Sequence, residues 1–153
     1  MRFHLYGVVS DSHGDRDRLS NIMMALEYKK AEGVIHLGDG FRDMEPFEKA
    51  FPQVWQVAGN CDFCSAGRQE LIRLSGMPVL ITHGHGYMVK STLDLLCDEA
   101  VSLGARAALF GHTHEPFTEY RNGVLLLNPG SAREGRYAVL RIPDNGYPEA
   151  DLL

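Results

Sequence analysis

Residues 3–10 are mostly apolar and rich in residues that favour extended chain, among them Leu5, Tyr6, Val8 and Val9. The run stops at Asp11-Ser12-His13-Gly14. Leu19, Ile22, Met23 and Leu26 then recur at the spacing of one helix face, with Gly33 placed to stop that helix. Val34-Ile35-His36-Leu37 reads as a second strand and ends in Gly38-Asp39-Gly40. A strand–helix–strand unit of this kind closes as a right-handed parallel pair. Ligands of parallel sheets gather beyond the carboxyl ends of the strands, which is where Asp11, His13 and Asp39 fall.

The same grammar continues along the chain. A short helix is predicted over 44–50, with Pro46 in its first turn. A third strand over 54–58 ends in Gly59-Asn60-Cys61-Asp62. Strands over 70–74 and 79–82 are joined by a turn at Ser75-Gly76-Met77-Pro78, and the second ends in His83-Gly84-His85-Gly86. Leu93, Leu96, Cys97 and Ala100 mark another helix face, closed near Gly104. A strand over 105–110 runs into Gly111-His112-Thr113-His114. A hairpin turns at Arg121-Asn122-Gly123, the loop Asn128-Pro129-Gly130-Ser131 follows, and a last strand covers 137–142. The tail beyond Pro143 is expected to add little structure.

Five apolar runs thus end in polar residues next to glycine: Asp11/His13, Asp39, Asn60, His83/His85 and His112/His114. His-x-His puts two imidazoles on one side of extended backbone. Carboxylates, imidazoles and one carboxamide, without thiolate, suit Mn, Fe, Ni, Co or Zn in an open catalytic site, and not a closed Cys-rich structural zinc. The donors outnumber what one ion needs; two ions sharing a carboxylate would use them all, as in the clamps that serve in-line displacement at phosphorus.

Composition bounds the setting. The chain of 153 residues, 44% hydrophobic and 23% charged, suits one domain, residues 1–153, with a real core. A formal net charge of -5 argues against a stable grip on nucleic acid through its phosphates. No apolar run approaches a membrane span, and residues 1–6 enter a strand pattern rather than a signal peptide. Three cysteines, an odd number, point to a reducing cytoplasm. The expected partner is a small phosphate ester; a homo-oligomer is compatible with the sequence.

Asp11-Ser12-His13, Gly38-Asp39, Gly59-Asn60, Thr82-His83-Gly84-His85 and Gly111-His112-Thr113-His114, in this order and over nearly the whole chain, resemble the calcineurin-like metallophosphoesterases, most closely their small single-domain phosphodiesterase branch. The resemblance implies an α/β fold, a four-layer sandwich of two mixed β-sheets flanked by helices. It implies two divalent ions, Mn²⁺ first, with Ni²⁺, Fe²⁺, Zn²⁺ or Co²⁺ as substitutes. Asp11, His13 and His114 would hold one ion, Asn60, His83 and His112 the other, and Asp39 would bridge. The implied activity is hydrolysis of a phosphate ester, a diester first and a monoester as the alternative, by a hydroxide held between the ions. Two departures stand out. The family often has a proton-donating His after the Asn, where this chain has Cys61, and a second Asp three residues after the bridging one, where Asp43 lies four after Asp39. His85, two residues from His83, is the candidate donor in place of Cys61.

Other features have plainer readings. Cys61-Asp62-Phe63-Cys64 is a C-x-x-C without a second cysteine pair. His4, His36 and Trp55 read as packed or surface residues. Arg133 and Arg136 are placed either to touch a substrate phosphate or to be solvated. A retromer subunit resembles this fold and serves as a protein-binding scaffold, so a non-catalytic scaffold is the competing class. Completeness of the donor set favours the enzyme.

Overall fold

The computed structural model describes residues 2–153. β1 (Phe3–Val9), β2 (Gly33–His36) and β3 (Gln53–Gln56) run parallel, and the strand–helix–strand unit closes through α1 (Arg16–Tyr28). β4 (Gln69–Leu74) pairs antiparallel with β5 (Met77–Thr82), which runs parallel to β6 (Ala107–Leu109). β6 in turn is parallel to β8 (Val124–Asn128), the partner of β7 (Phe117–Arg121) in a hairpin. β9 (Ala138–Pro143) lies antiparallel to β1, and β10 (Glu149–Leu152) to β9. The result is two mixed five-stranded sheets, ordered β10-β9-β1-β2-β3 and β4-β5-β6-β8-β7.

Alternation of side chains along the strands gives each sheet two apolar faces. The inner faces meet: Val8, Ile35 and Leu37 of the first sheet pack with Ile81, Leu109 and Leu127 of the second. α1 covers the outer face of the first sheet with Leu19, Ile22, Met23 and Leu26, all buried. α2 (Asp94–Ser102) covers the second with Leu96, Cys97 and Ala100. This is the four-layer α/β sandwich that the resemblance implies. Among the described residues no helix is long and apolar enough to cross a membrane.

Four expectations are corrected. α1 ends at Tyr28, where Lys30 takes a left-handed φ of 61°, and Gly33 is instead the first residue of β2. Glycine is needed at 33 because a Cβ would come within 2.8 Å of the Trp55 ring and 2.9 Å of the Gln53 carbonyl oxygen. The helix expected over 44–50 is a 3₁₀ turn, Phe41–Phe47, with Pro46 near its end rather than its start. Proline has no N–H to carry a helix onward, and the first amides of the turn are bound elsewhere, as described below. The turn after β4 is only Ser75-Gly76, both at positive φ, with Met77 and Pro78 already in β5. The tail is not idle: β10 adds an edge strand, where Arg141 of β9 pairs with Glu149 at 3.1 Å and Asp151 at 3.2 Å.

Candidate metal centre

β1, β2 and β3 in one sheet and β5 and β6 in the other end at the same seam, each delivering its glycine-flanked polar residues. Hydrogen bonds stitch the two sheets there. The His83 Nδ1–H donates to the Leu37 carbonyl at 2.8 Å and the His112 amide to Asp11 Oδ2 at 3.1 Å, while the Gly111 amide joins the ends of β6 and β5 within the second sheet through the His83 carbonyl at 2.9 Å. Close approach at these strand ends requires glycine: a Cβ on Gly59 would overlap the Asp39 carboxylate, one on Gly111 would overlap Ser10 Oγ, and Gly38 and Gly40 are as tightly enclosed.

Asp11, His13, Asp39, His112 and His114 all sit at φ between 45° and 70°. Left-handed backbone is uncommon outside glycine and is retained where the surroundings over-determine it, often at functional sites. The rings and carboxylates converge. Ligand atoms of Asp11, His13 and His114 lie within 4.8 Å of one another, and so do those of Asp39, His83 and His112. Asp11 Oδ1 is 3.2 Å from His114 Nε2 and 3.6 Å from His13 Nε2, and Asp39 Oδ2 is 3.2 Å from His83 Nε2. His83 Nε2 is also 3.8 Å from Asp11 Oδ1, and His13 Nε2 is 3.8 Å from Asp39 Oδ2, so the two groups are contiguous. Asn60 stands exposed on the turn after Gly59. Its neighbour Cys61 donates its amide to Asp39 Oδ1 at 2.8 Å, and the Cys61 sulfur lies within the same 4.8 Å of His13 and Asp39 ligand atoms.

The donor chemistry fits divalent cations. Because Leu37 takes the Nδ1 proton of His83, Nε2 is the nitrogen that faces the two carboxylates, and in the neutral ring it offers a lone pair to a cation. Asp11 Oδ1 and His83 Nε2 are both buried without a hydrogen-bond partner, an arrangement that is costly unless cations meet them. Burial disfavours the charged form of Asp39, but His83 and the Cys61 amide outweigh it and hold the carboxyl well below its usual range. Burial likewise opposes charge on His83, yet Asp39 and Asp11 raise its pKa. Burial, His83 and Lys90 lower that of His112, which suits a neutral ligand.

A second layer of contacts holds the loops. The Asp62 carboxylate accepts from the amides of Asp39 (2.8 Å), Gly40 (3.0 Å), Phe41 (3.2 Å) and Gly59 (2.8 Å). It thereby locks the β2 and β3 loops to each other and starts the 3₁₀ turn at Phe41. Asp62 carries no signal along the chain, because acceptance from amides some twenty residues away leaves no local signature. Asp43 receives the Ser12 hydroxyl at 2.6 Å and the Gly14 amide at 2.9 Å, so it supports the β1 loop. His36 is buried: its Nδ1 accepts from the Gly38 amide, so its Nε2–H donates to Ser12 Oγ, and the chain continues to Asp43. Ser131 Oγ donates to the Asp11 carbonyl, and Asn128 Nδ2 donates to the Gly111 carbonyl and Thr113 Oγ1, so the predicted loop 128–131 supplies two further anchors.

The remaining candidates separate. His85 stands beside the site, ring centroids 5.6 Å from His83 and 6.1 Å from His112, and its Nε2 accepts from Arg68 at 3.2 Å. Burial first, then His83 and Arg68, lower its pKa and keep the ring neutral. Desolvation and the Asp39 carboxylate push the Cys61 thiol up. Cys61 and Cys64 are exposed and free. Arg133 lines a cavity that opens on His13 and Asp39, whereas Arg136 packs its stem beside Gly130. His4 pairs with Glu32 and Asp144, away from the seam, and Trp55 packs edge-on to Tyr6.

Comparison with known proteins follows this geometry. The family model described as "Calcineurin-like phosphoesterase superfamily domain" matches residues 5–142. "Probable metallophosphoesterase YsnB" of Bacillus subtilis is 35% identical over 145 residues, 90% of this chain and 84% of the relative. A Methanocaldococcus jannaschii protein named as a phosphodiesterase is 29% identical over 145 residues, 81% of each. A solved structure from Streptococcus pneumoniae, described as a conserved uncharacterized protein and predicted phosphoesterase, matches with TM-score 0.81 at 28% identity, covering 100% of this chain and 90% of that one. Vps29 of Entamoeba histolytica, at 20% identity, TM-score 0.78 and coverage of 97% and 98%, shares the fold.

Two outcomes are expected. Asp62→Ala should weaken binding of Mn²⁺ by about 10–100-fold, since four amides lose the acceptor that orients the Asp39 and Asn60 loops; titration calorimetry of the metal-free protein measures this, and unaltered affinity would contradict the role. His36 is lowered from 6.5 to about 4 by burial, against the charges of Asp62, Asp11 and Asp43. Between these values the unfolded chain takes up a proton that the folded chain refuses. The stability from neutral His36 is therefore complete above pH 6.5 and is lost as pH falls towards 4. Urea melts of wild type and His36→Gln across that window should show a shallower decline in the variant; parallel declines would count against it.

Proposed function

The chain belongs to the calcineurin-like phosphoesterase superfamily, and from that premise we propose that it is a metal-dependent phosphodiesterase acting on a small phosphate ester. The observation that carries the reading is the pair of unpartnered buried atoms, Asp11 Oδ1 and His83 Nε2, facing each other across the seam. We assign Asp11, His13 and His114 to one divalent ion, Asn60, His83 and His112 to a second, and Asp39 to both. When bound, such ions supply Lewis acidity and a nucleophile at neutral pH. The protein's own part is to hold the donors rigid. Asp62 and Asp43 fix the loops, the Leu37 carbonyl sets the His83 tautomer, and the inter-sheet bonds keep the imidazoles from turning away.

Mn²⁺ is the metal proposed, on the mixed oxygen and nitrogen donor set. A cytoplasmic setting is proposed on the three free thiols, and no stable nucleic-acid complex on the acidic net charge. His85 is proposed to protonate the leaving group. It lies beside His83 and His112, but its ring is held neutral, so the role rests on position. A scaffold of the same fold is the second reading, favoured by the likeness to Vps29. It has no use for a complete donor set.

The test is a metal-by-substrate panel. Protein stripped with chelator and reloaded with Mn²⁺ should hydrolyse bis-p-nitrophenyl phosphate faster than p-nitrophenyl phosphate. The reverse order would make it a monoesterase, and no turnover of either would support the scaffold. Asp39→Asn should lower activity about 100-fold or more and reduce bound metal from two ions per chain; normal activity with full metal content would defeat the shared-carboxylate assignment. With metal content intact, His85→Ala should slow alkyl diesters far more than nitrophenyl diesters, because proton delivery matters most to poor leaving groups. Equal losses would reject His85 as the donor.

A further inference from the structure

We propose that the cavity beside the metal centre is a nucleoside subsite, so that the ester cleaved there is a nucleotide phosphodiester whose base stacks on Phe63 and whose phosphate meets Arg42 and Arg133. The inference rests on the phosphodiesterase reading above. The cavity holds about 610 Å³ and has His13 and Asp39 in its wall, so one substituent of a phosphate at the metal centre has room in this space. That volume lies within the range of small-molecule sites, roughly 300–1,000 Å³.

Its remaining lining has a particular chemistry. Arg42 and Arg133 are exposed on it, one from the 3₁₀ turn after β2 and the other from the turn Ala132–Glu134. Among the described residues neither guanidinium has an ion pair or a side-chain hydrogen bond, whereas those of Arg121 and Arg141 are neutralised by carboxylates. Asp43 and Asp62 line the cavity too, but their oxygens accept from the Ser12 hydroxyl, the Gly14 amide and four further backbone amides, so the two uncommitted cations are the charges left to meet an anion. Phe63 borders the same space with 95% of its surface exposed. A lone exposed apolar residue is ordinary. A bare aromatic ring beside two guanidiniums and a metal site is the wall that a base and its phosphate require, since base–aromatic stacking contributes about 1–3 kcal/mol per base and accepts every base. Phe41, partly buried, adds a second ring to the lining. A lipid diester fits poorly, because no Leu, Ile or Val lines the cavity.

Two esters with one leaving group test this: thymidine 5′-(p-nitrophenyl phosphate) and methyl p-nitrophenyl phosphate, turned over by the Mn²⁺-loaded protein. The thymidine ester should have kcat/KM about tenfold or more above the methyl ester, the lower part of the stacking range. Phe63→Ala should collapse that ratio towards one, and Phe63→Trp should keep it. Equal values for the two esters in the wild type, or a preference that Phe63→Ala leaves intact, would overturn the subsite while leaving the phosphodiesterase reading in place. Turnover of neither ester is the separate failure of that reading. Binding then judges the subsite alone: thymidine 5′-monophosphate should quench the added indole of Phe63→Trp, and the absence of quenching overturns the proposal.

Discussion

Two carboxylates that are buried at a seam between sheets set the terms for this molecule. Asp11 and Asp39 stand at the ends of adjacent parallel strands, each within reach of imidazoles from the opposite sheet. Ionised carboxylates are costly to bury unless they are paired. The protein satisfies one oxygen of each from within: Ser10 Oγ and the His112 amide donate to Asp11 Oδ2, and the Cys61 amide to Asp39 Oδ1. The other oxygen of each points at histidine nitrogens. That division lets the backbone hold the carboxylate in place while a lone pair stays free to meet a cation.

The rest of the seam serves this arrangement. Left-handed backbone at five of the donor residues turns each chain sharply at its strand end and so aims the side chain inward. Such conformations cost on the order of 1 kcal/mol or more each. The compensating contacts are visible: Asp62 gathers four amides, Asp43 takes a hydroxyl and an amide, and neutral His36 joins Gly38 to Ser12. The sandwich core beneath, built from Val8, Leu37, Ile81 and Leu109, supplies a rigid floor. Function at this seam is thus bound to the docking of two sheets, and neither alone carries a complete donor set.

The chemical character of the rim differs from that of the floor. Below, acidic and imidazole groups gather; above, Arg42 and Arg133 bring positive charge to the cavity wall, on which Phe63 is exposed. The C-x-x-C segment contributes to the same wall through Cys61 and Cys64, both free thiols, and the Cys61 thiol is held in its neutral form beside Asp39.

Much of this was legible in the chain itself. The unbroken apolar runs of β1 and β2, buried on both faces, and the three-to-four spacing of apolar residues in α1 mark a parallel unit, since a sheet covered on both sides carries continuous apolar strands. The residues so marked in α1, Leu19, Ile22, Met23 and Leu26, are the buried ones. Glycine-flanked Asp, Asn and His at five strand ends announce a donor set because few other uses call for those types together. Tertiary structure alone decided what depends on distant partners. Gly33 serves the approach of Trp55 rather than the end of α1, β10 exists because β9 offers it an open edge, and Asp62 matters because two loops bring four amides to it. Arg133 and Arg136, three residues apart and alike in sequence, part company because a 3₁₀ turn puts one on the cavity and the other beside Gly130. Local pattern follows from the side chains of neighbouring residues, so it can be read along the chain. Hydrogen-bond acceptance and cavity lining depend on which strands become neighbours in space, so they appear only when the sheets have docked.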